Sequence, residues 1–366
     1  MIQTAAVQKK REAWIDYVRI LAILLVVLCH SVEAYYWSVM QGEEQIRFLP
    51  WLVENTLFTI GRLGVPLFLA ISGTLLLGRE YDIFSFYKKS VLPLVVTTEI
   101  WTIFNFLFAC IVYKKPFTLA LLLRQILFLD APSLSHMWYM PMIIGIYIFI
   151  PFVSKLLQEY SRIRYYLIPM LLVGISSVLI PTITVFLNED VLGELRIGLR
   201  IDTDFGGGVY GLYLIMGYFI GRKKILKKVK TLYLLAIMTI CLIGNTAGQF
   251  YIYSHHYYKW DDLLWYTSLP IFLIGLSLFE LFRRSERILE NNNFAVVSAL
   301  ARGSFGIYLL HNPIKILCFR YLPMDHVNEM IKIIILFIMS AGLSIVILVP
   351  FLVKWKKAGK ILFFIK

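Results

Sequence analysis

Runs of apolar residues recur from about residue 15 to residue 353, separated by polar gaps mostly shorter than about 20 residues. A helix of about 20 residues, rising 1.5 Å per residue, covers the roughly 30 Å hydrocarbon core of a bilayer. Ten such stretches are expected, at 15–37, 52–77, 86–113, 137–156, 164–187, 207–221, 231–253, 263–282, 302–320 and 329–353. The sixth is the shortest and starts among Gly206, Gly207 and Gly208, with Gly211 and Gly217 inside it, a composition that lets helices approach closely. Between Lys114 and His136 only 117–129 is apolar, too short to cross, so a re-entrant or interfacial element is expected there. The fold class these runs predict is all-α: a polytopic integral membrane protein of about ten transmembrane helices.

Composition strengthens that reading. A chain that is 59% hydrophobic, 16% charged and +0.73 in mean hydropathy has too little polar surface to face water all round. The spans leave no room for a separate soluble catalytic domain, so residues 1–366 read as one transmembrane domain. Any active site must then be built from membrane helices and their short loops. The formal charge of +13 does not point to nucleic acid, because the basic residues cluster between spans instead of lining one groove.

Their distribution instead sets topology. If the ten spans alternate, 23 lysines and arginines fall on one face, including Lys9, Lys10, Arg11, the run from Arg222 to Lys230 and the tail from Lys354 to Lys366, against seven on the other. By the positive-inside rule both termini are expected in the cytoplasm, with 1–13 a short N-terminal segment and 354–366 a basic tail. No small-residue cleavage site follows the first run, which is expected to be a retained helix and not a signal peptide. Cys29, Cys110, Cys241 and Cys318 all lie in apolar stretches without metal-ligand spacing and read as small hydrophobes.

In such a chain an intramembrane ionisable residue is informative, because placing it there is costly. Arg19 and His30 are eleven residues apart in the first span, three turns and about 20°, so they share a helix face about 16 Å apart along the axis. Asp16 stands three residues before Arg19 and Glu33 three after His30, each within reach as a partner. An imidazole oriented by a carboxylate is a general-base arrangement. Taken singly, Arg19 also reads as a snorkelling cation and His30 as a packing histidine.

The sequence Ile15-Asp16-Tyr17-Val18-Arg19 running to Cys29-His30-Ser31 resembles the R-x10-H signature of the acyltransferase 3 family of membrane acyltransferases. Three further segments resemble that family in order along the chain: 64–73 (GVPLFLAISG), His136-Met137-Trp138-Tyr139, and 304–311 (SFGIYLLH). The resemblance implies an acyl-CoA donor, acetyl-CoA or a similar thioester, as a substrate and not a resident cofactor. It implies an acceptor hydroxyl on a lipid-linked or exported glycan, with His30 catalytic and Arg19 supporting it. Where relatives often carry an R-x-x-R pair, this chain has Lys88-Lys89-Ser90-Val91, and lysine lacks the bidentate fork of arginine.

Donor phosphates need cations, for which Arg79, Lys88 and Lys89 are the candidates, each also readable as a positive-inside anchor. Arg62 is the candidate for a phosphate on the acceptor. His136, Trp138 and His311 are candidates for the acceptor site, with Pro313 two residues beyond His311 expected to kink its helix. Direct transfer and an acyl-histidine intermediate are both open. His255, His256, Asp261 and Asp262 fit no metal-ligand spacing, and no metal is expected. The aromatics at span ends, Trp51 and Trp355 among them, read as an interfacial belt, so the surroundings are membrane lipids. The alternative class is a glycan or lipid carrier, which would favour internal repeats; none is visible, whereas a base and a basic entrance are.

Overall fold

The computed structural model describes residues 12–41, 48–186, 208–254, 262–289, 294–324 and 326–365. Among these the chain is helical throughout, with no strand. The elements are α1 (Ala13–Gln41), α2 (Phe48–Gly61), α3 (Gly64–Leu76), α4 (Ile83–Phe86), α5 (Leu92–Val112), α6 (Leu119–Ile126), α7 (Tyr139–Glu159), α8 (Leu167–Gly174) and α9 (Ile180–Thr184). They continue as α10 (Gly208–Gly221), α11 (Thr231–Ser254), α12 (Leu269–Arg284), α13 (Glu286–Leu289), α14 (Phe294–Tyr321), α15 (Glu329–Val353) and α16 (Lys356–Leu362).

Among the described residues seven helices are long and apolar enough to cross a membrane: 13–36, 48–76, 83–112, 135–159, 163–184, 231–254 and 329–353. This makes the chain a multi-pass membrane protein and accounts for seven of the ten expected spans. The other three apolar stretches are helices too, but α10 has 14 residues and α12 has 16, about 21 and 24 Å long and short of the core thickness. The third, α14, has 28 residues and carries Arg302, His311, Asn312, Lys315 and Arg320. The short stretch expected near 117–129 is α6, eight residues long and mostly exposed.

Helix α1 is the axis of the bundle, packed against α2, α3, α12, α14 and α15. Apolar burial gives little drive once a helix is in lipid, so helix association depends on close packing and on polar contacts. Small residues supply the first. The second expected span breaks at Arg62 and Leu63, and its two halves rest on α1: a Cβ on Gly61 would lie 2.8 Å from Cys29, and one on Gly64 2.6 Å from the Ala22 carbonyl. Further along, a Cβ on Gly73 would run into the Leu214 carbonyl of α10, so only glycine allows that crossing. Polar contacts supply the second: Thr74 Oγ1 donates to the Gly217 carbonyl at 2.7 Å. At the same end of the bundle, fully buried Glu280 accepts from Arg283 at 2.6 Å and from Arg284 at 2.7 Å, and Arg284 also donates to the Leu226 and Val229 carbonyls.

The segment expected to be a basic tail is docked. Helix α16 folds back so that Trp101 Nε1 donates to the Leu362 carbonyl at 2.7 Å and Thr97 Oγ1 to the Ile361 carbonyl at 2.8 Å. Phe363 is buried against Trp101 and Phe351.

Candidate active site

Because α1 is continuous from Ala13 to Gln41, Arg19 and His30 share one face, as the eleven-residue spacing predicts. Both expected partners are in place. Arg19 Nη1 lies 3.6 Å from Asp16 Oδ1, and His30 Nδ1 lies 2.6 Å from Glu33 Oε2. With Nδ1 committed to the carboxylate, Nε2 is the ring nitrogen of His30 left for another partner. The charges of Arg62 and Lys315 both act on this pair.

Two more histidines join His30. The rings of His30 and His311 are 5.2 Å apart between centroids, His136 and His311 5.3 Å, and His30 and His136 6.4 Å. His136 sits on the 3-10 turn Ser135–Trp138 that opens α7, and His311 on α14. The Tyr308 hydroxyl ties these elements by donating to the His136 carbonyl at 2.6 Å. Nδ1 of His311 faces the carbonyls of Tyr308 at 2.6 Å and Ile307 at 3.2 Å, so it carries the proton and Nε2 holds a lone pair. Asn312 Nδ2 donates to His136 Nδ1 at 2.9 Å, which puts the His136 proton on Nε2. His136 Nε2 and His311 Nε2 have no protein partner although both residues are buried. One acceptor, one donor and the His30–Glu33 pair therefore converge from three segments far apart in sequence. No group of three or more His, Cys, Asp or Glu among the described residues is arranged to hold a metal ion.

Arg62, at the break between α2 and α3, is buried with its guanidinium 4.6 Å from the ring centres of both Phe58 and Trp265. Its Nε and Nη2 have no protein partner. Trp138 is half-buried in a cluster with Tyr210 and Tyr266, each ring centre 5.7 Å from it and the two tyrosines 6.2 Å from each other. Of the loop residues set aside as a metal site, His255, His256 and Asp261 lie outside the described residues, as does the side chain of Asp262.

Toward the other end of α1, a cavity of about 470 Å³ gathers three cations, Arg19, Arg79 and Arg302, with Ser72, Tyr147 and Tyr308 among its other walls. Arg79 was expected here as a donor-site cation, and Arg19 as a support to His30. The lysines proposed with Arg79, Lys88 and Lys89, do not line it. They project from the exposed face of the π-helical turn Tyr87–Val91, where proximity to Arg79 in sequence is not proximity to its side chain. Sequence reasoning missed Arg302 and Lys315. The signal was present, since each is a charge inside an apolar stretch, but only the packing of α14 against α1 brings Arg302 to the cavity wall and the Lys315 charge within range of Glu33.

No curated protein and no solved structure matches the chain. A family model described as an acyltransferase domain does match, over residues 12–349, and so takes in α1 with Arg19 and His30, the His136 turn and the Arg302–His311 stretch of α14. On that match, nearly as long as the chain itself, the protein belongs to the acyltransferase 3 family of membrane acyltransferases.

Proposed function

We propose that this protein transfers an acetyl or similar acyl group from acyl-CoA to a hydroxyl of a lipid-linked or cell-surface glycan, with His30 as general base. The observation that carries the reading is the 2.6 Å contact between His30 Nδ1 and Glu33, which leaves Nε2 to take the acceptor proton. As that oxygen attacks the thioester carbonyl, Glu33 stabilises the imidazolium. The proton then passes to the departing thiolate, so charge balances over the cycle. His136 Nε2–H is the donor available to a developing oxyanion. The lone pair of His311 Nε2 can accept from a second acceptor hydroxyl.

The arginine cavity suits the donor, since coenzyme A brings several phosphates and a narrow pantetheine arm, and Arg19, Arg79 and Arg302 offer planar bidentate contacts. Arg62 is assigned to an anionic group on the acceptor. Both termini and the arginine cavity are assigned to the cytoplasmic side of the cell membrane, following the basic clusters.

The test is release of coenzyme A thiol by the purified chain in nanodiscs given acetyl-CoA and envelope-lipid extract, beside His30→Ala. Turnover that needs the extract and falls by about 10² to 10⁴ in the variant supports the assignment. Turnover indifferent to His30 overturns the mechanism. No turnover and no coenzyme A binding with acetyl or longer donors overturns the activity.

A further inference from the structure

A second cavity, of about 670 Å³, lies between α7, α8 and α10 and has no part in the chemistry above. Its α7 wall runs from Pro141 to Leu157, about 24 Å at 1.5 Å per residue. Its lining is apolar apart from two tyrosines: Tyr166, whose hydroxyl already donates to the Leu156 carbonyl, and Tyr210 at the opposite end. Such a shaft offers nothing to a sugar or to coenzyme A phosphates, and suits a hydrocarbon chain.

Length narrows the occupant. One leaflet contributes about half of the roughly 30 Å hydrocarbon core, so the tail of an ordinary phospholipid reaches about 15 Å and leaves a third of the shaft unfilled. The ends differ as well. The Tyr210 end is the one near the histidines: Pro141 is five residues beyond His136, and Tyr210 packs on Trp138. Trp138 packs in turn on Tyr266, and Arg62 lies 5.8 Å from the Tyr266 ring with two guanidinium nitrogens unpartnered. The outer wall of the shaft is loosely held, since only 6% of an 18-residue stretch of the 163–184 span is buried inside the protein. A lipid can therefore enter from the side.

We propose that this groove seats the single long hydrocarbon chain of an anionic lipid-linked acceptor, a chain longer than one leaflet, with the head group delivered past Tyr210 to Arg62 and the histidine cluster. The proposal rests on the acyltransferase reading above and names the substrate class of the same site.

Gly145 gives a direct test. It lines the groove, and a Cβ built there meets nothing within 4 Å, so added bulk enters the shaft without displacing protein. Leucine is also the better helix former, so Gly145→Leu should fold. The full chain is reconstituted in nanodiscs with equal amounts of phosphatidylglycerol, a long-chain prenyl phosphate, the matching uncharged prenol and farnesyl phosphate. Lipid retained on extraction is counted by mass spectrometry.

The expected result is enrichment of the long prenyl phosphate by about tenfold over the other three, lost in Gly145→Leu and partly lost in Gly145→Val. Enrichment should persist in Gly342→Leu, a helix glycine equally open but far from the groove in sequence and outside its lining. Equal retention of long and short chains, of phosphatidylglycerol, or of native and Gly145→Leu protein overturns the proposal. Coenzyme A thiol release, measured separately on the native chain, tells the two readings apart. Enrichment without turnover leaves the groove and removes the acyl transfer. Turnover on a soluble glycan with no enrichment does the reverse.

Discussion

Replacing Glu33 by glutamine tests the His30–Glu33 pair with almost no change in shape. The amide oxygen can still accept from Nδ1, so the ring stays oriented, and only the negative charge is lost. At 2.6 Å the pair is a charge-assisted hydrogen bond once His30 is protonated, worth about 1.5 to 3 kcal/mol. In the proposed mechanism the imidazolium forms only as the proton leaves the acceptor, so that energy belongs to the transition state. It converts to about a 10- to 150-fold loss in kcat. Glu33 is 22% exposed, which screens the interaction and favours the lower part of that range. KM for acyl-CoA should hold, because Glu33 does not line the arginine cavity. In a coupled thiol-release assay, Glu33→Gln added to His30→Ala should cost nothing further, as the charge then has no imidazolium to stabilise. A full additional loss in the double variant, or unchanged kcat in the single one, refutes the role given to the pair.

Three other outcomes follow from the same geometry. Arg302→Gln should raise KM for acyl-CoA about tenfold, the worth of one charge-assisted contact, whereas Lys88→Ala and Lys89→Ala should stay within about twofold, all read by steady-state kinetics. Gly73→Ala should lower the thermal unfolding temperature in detergent, because its Cβ meets the Leu214 backbone and overpacking costs about 1 to 3 kcal/mol or more; Gly342→Ala, with open space around it, should not. Ending the chain after Trp355 should lower that temperature and weaken acyl-CoA binding in a calorimetric titration, since Trp101 loses its acceptor at Leu362 and the cavity loses Phe364 from its wall.

The parts legible in the sequence are those set by one helix. Arg19, His30 and their carboxylates lie within 18 residues of uninterrupted α1, so 100° per residue is enough to align them. The same arithmetic fails wherever two helices decide. Lys88 and Lys89 are near Arg79 in number but project from a π turn on the exposed side, and Arg302 reaches the cavity from the far end of the chain. The break at Arg62 was hidden for a similar reason, since 48–76 is apolar enough on average to read as one span and only the packing of Gly61 and Gly64 on α1 reveals where it turns. Two of the ten expected spans are helices that differ from a lipid-facing span for physical reasons: α14 carries polar residues where it faces the site, and α10 is short and glycine-rich where it packs closely on α3.

Tyr308 joins the two halves of the site. It lines the arginine cavity, its hydroxyl holds the His136 carbonyl, and its ring is 5.6 Å from His136 and 5.7 Å from Tyr139. None of the three histidines lines that cavity, whereas Tyr139 and Tyr308 do. In the proposed mechanism a thioester bound by the arginines would pass these tyrosines to reach His30, and the rise from Arg19 to His30, about 16 Å, is the distance its pantetheine arm would cover. Holding Tyr308 to His136 therefore does more than pack two helices. On the proposed reading it would couple the passage for the acyl group to the placement of the hydrogen-bond donor on His136, so that the route and the oxyanion contact move together.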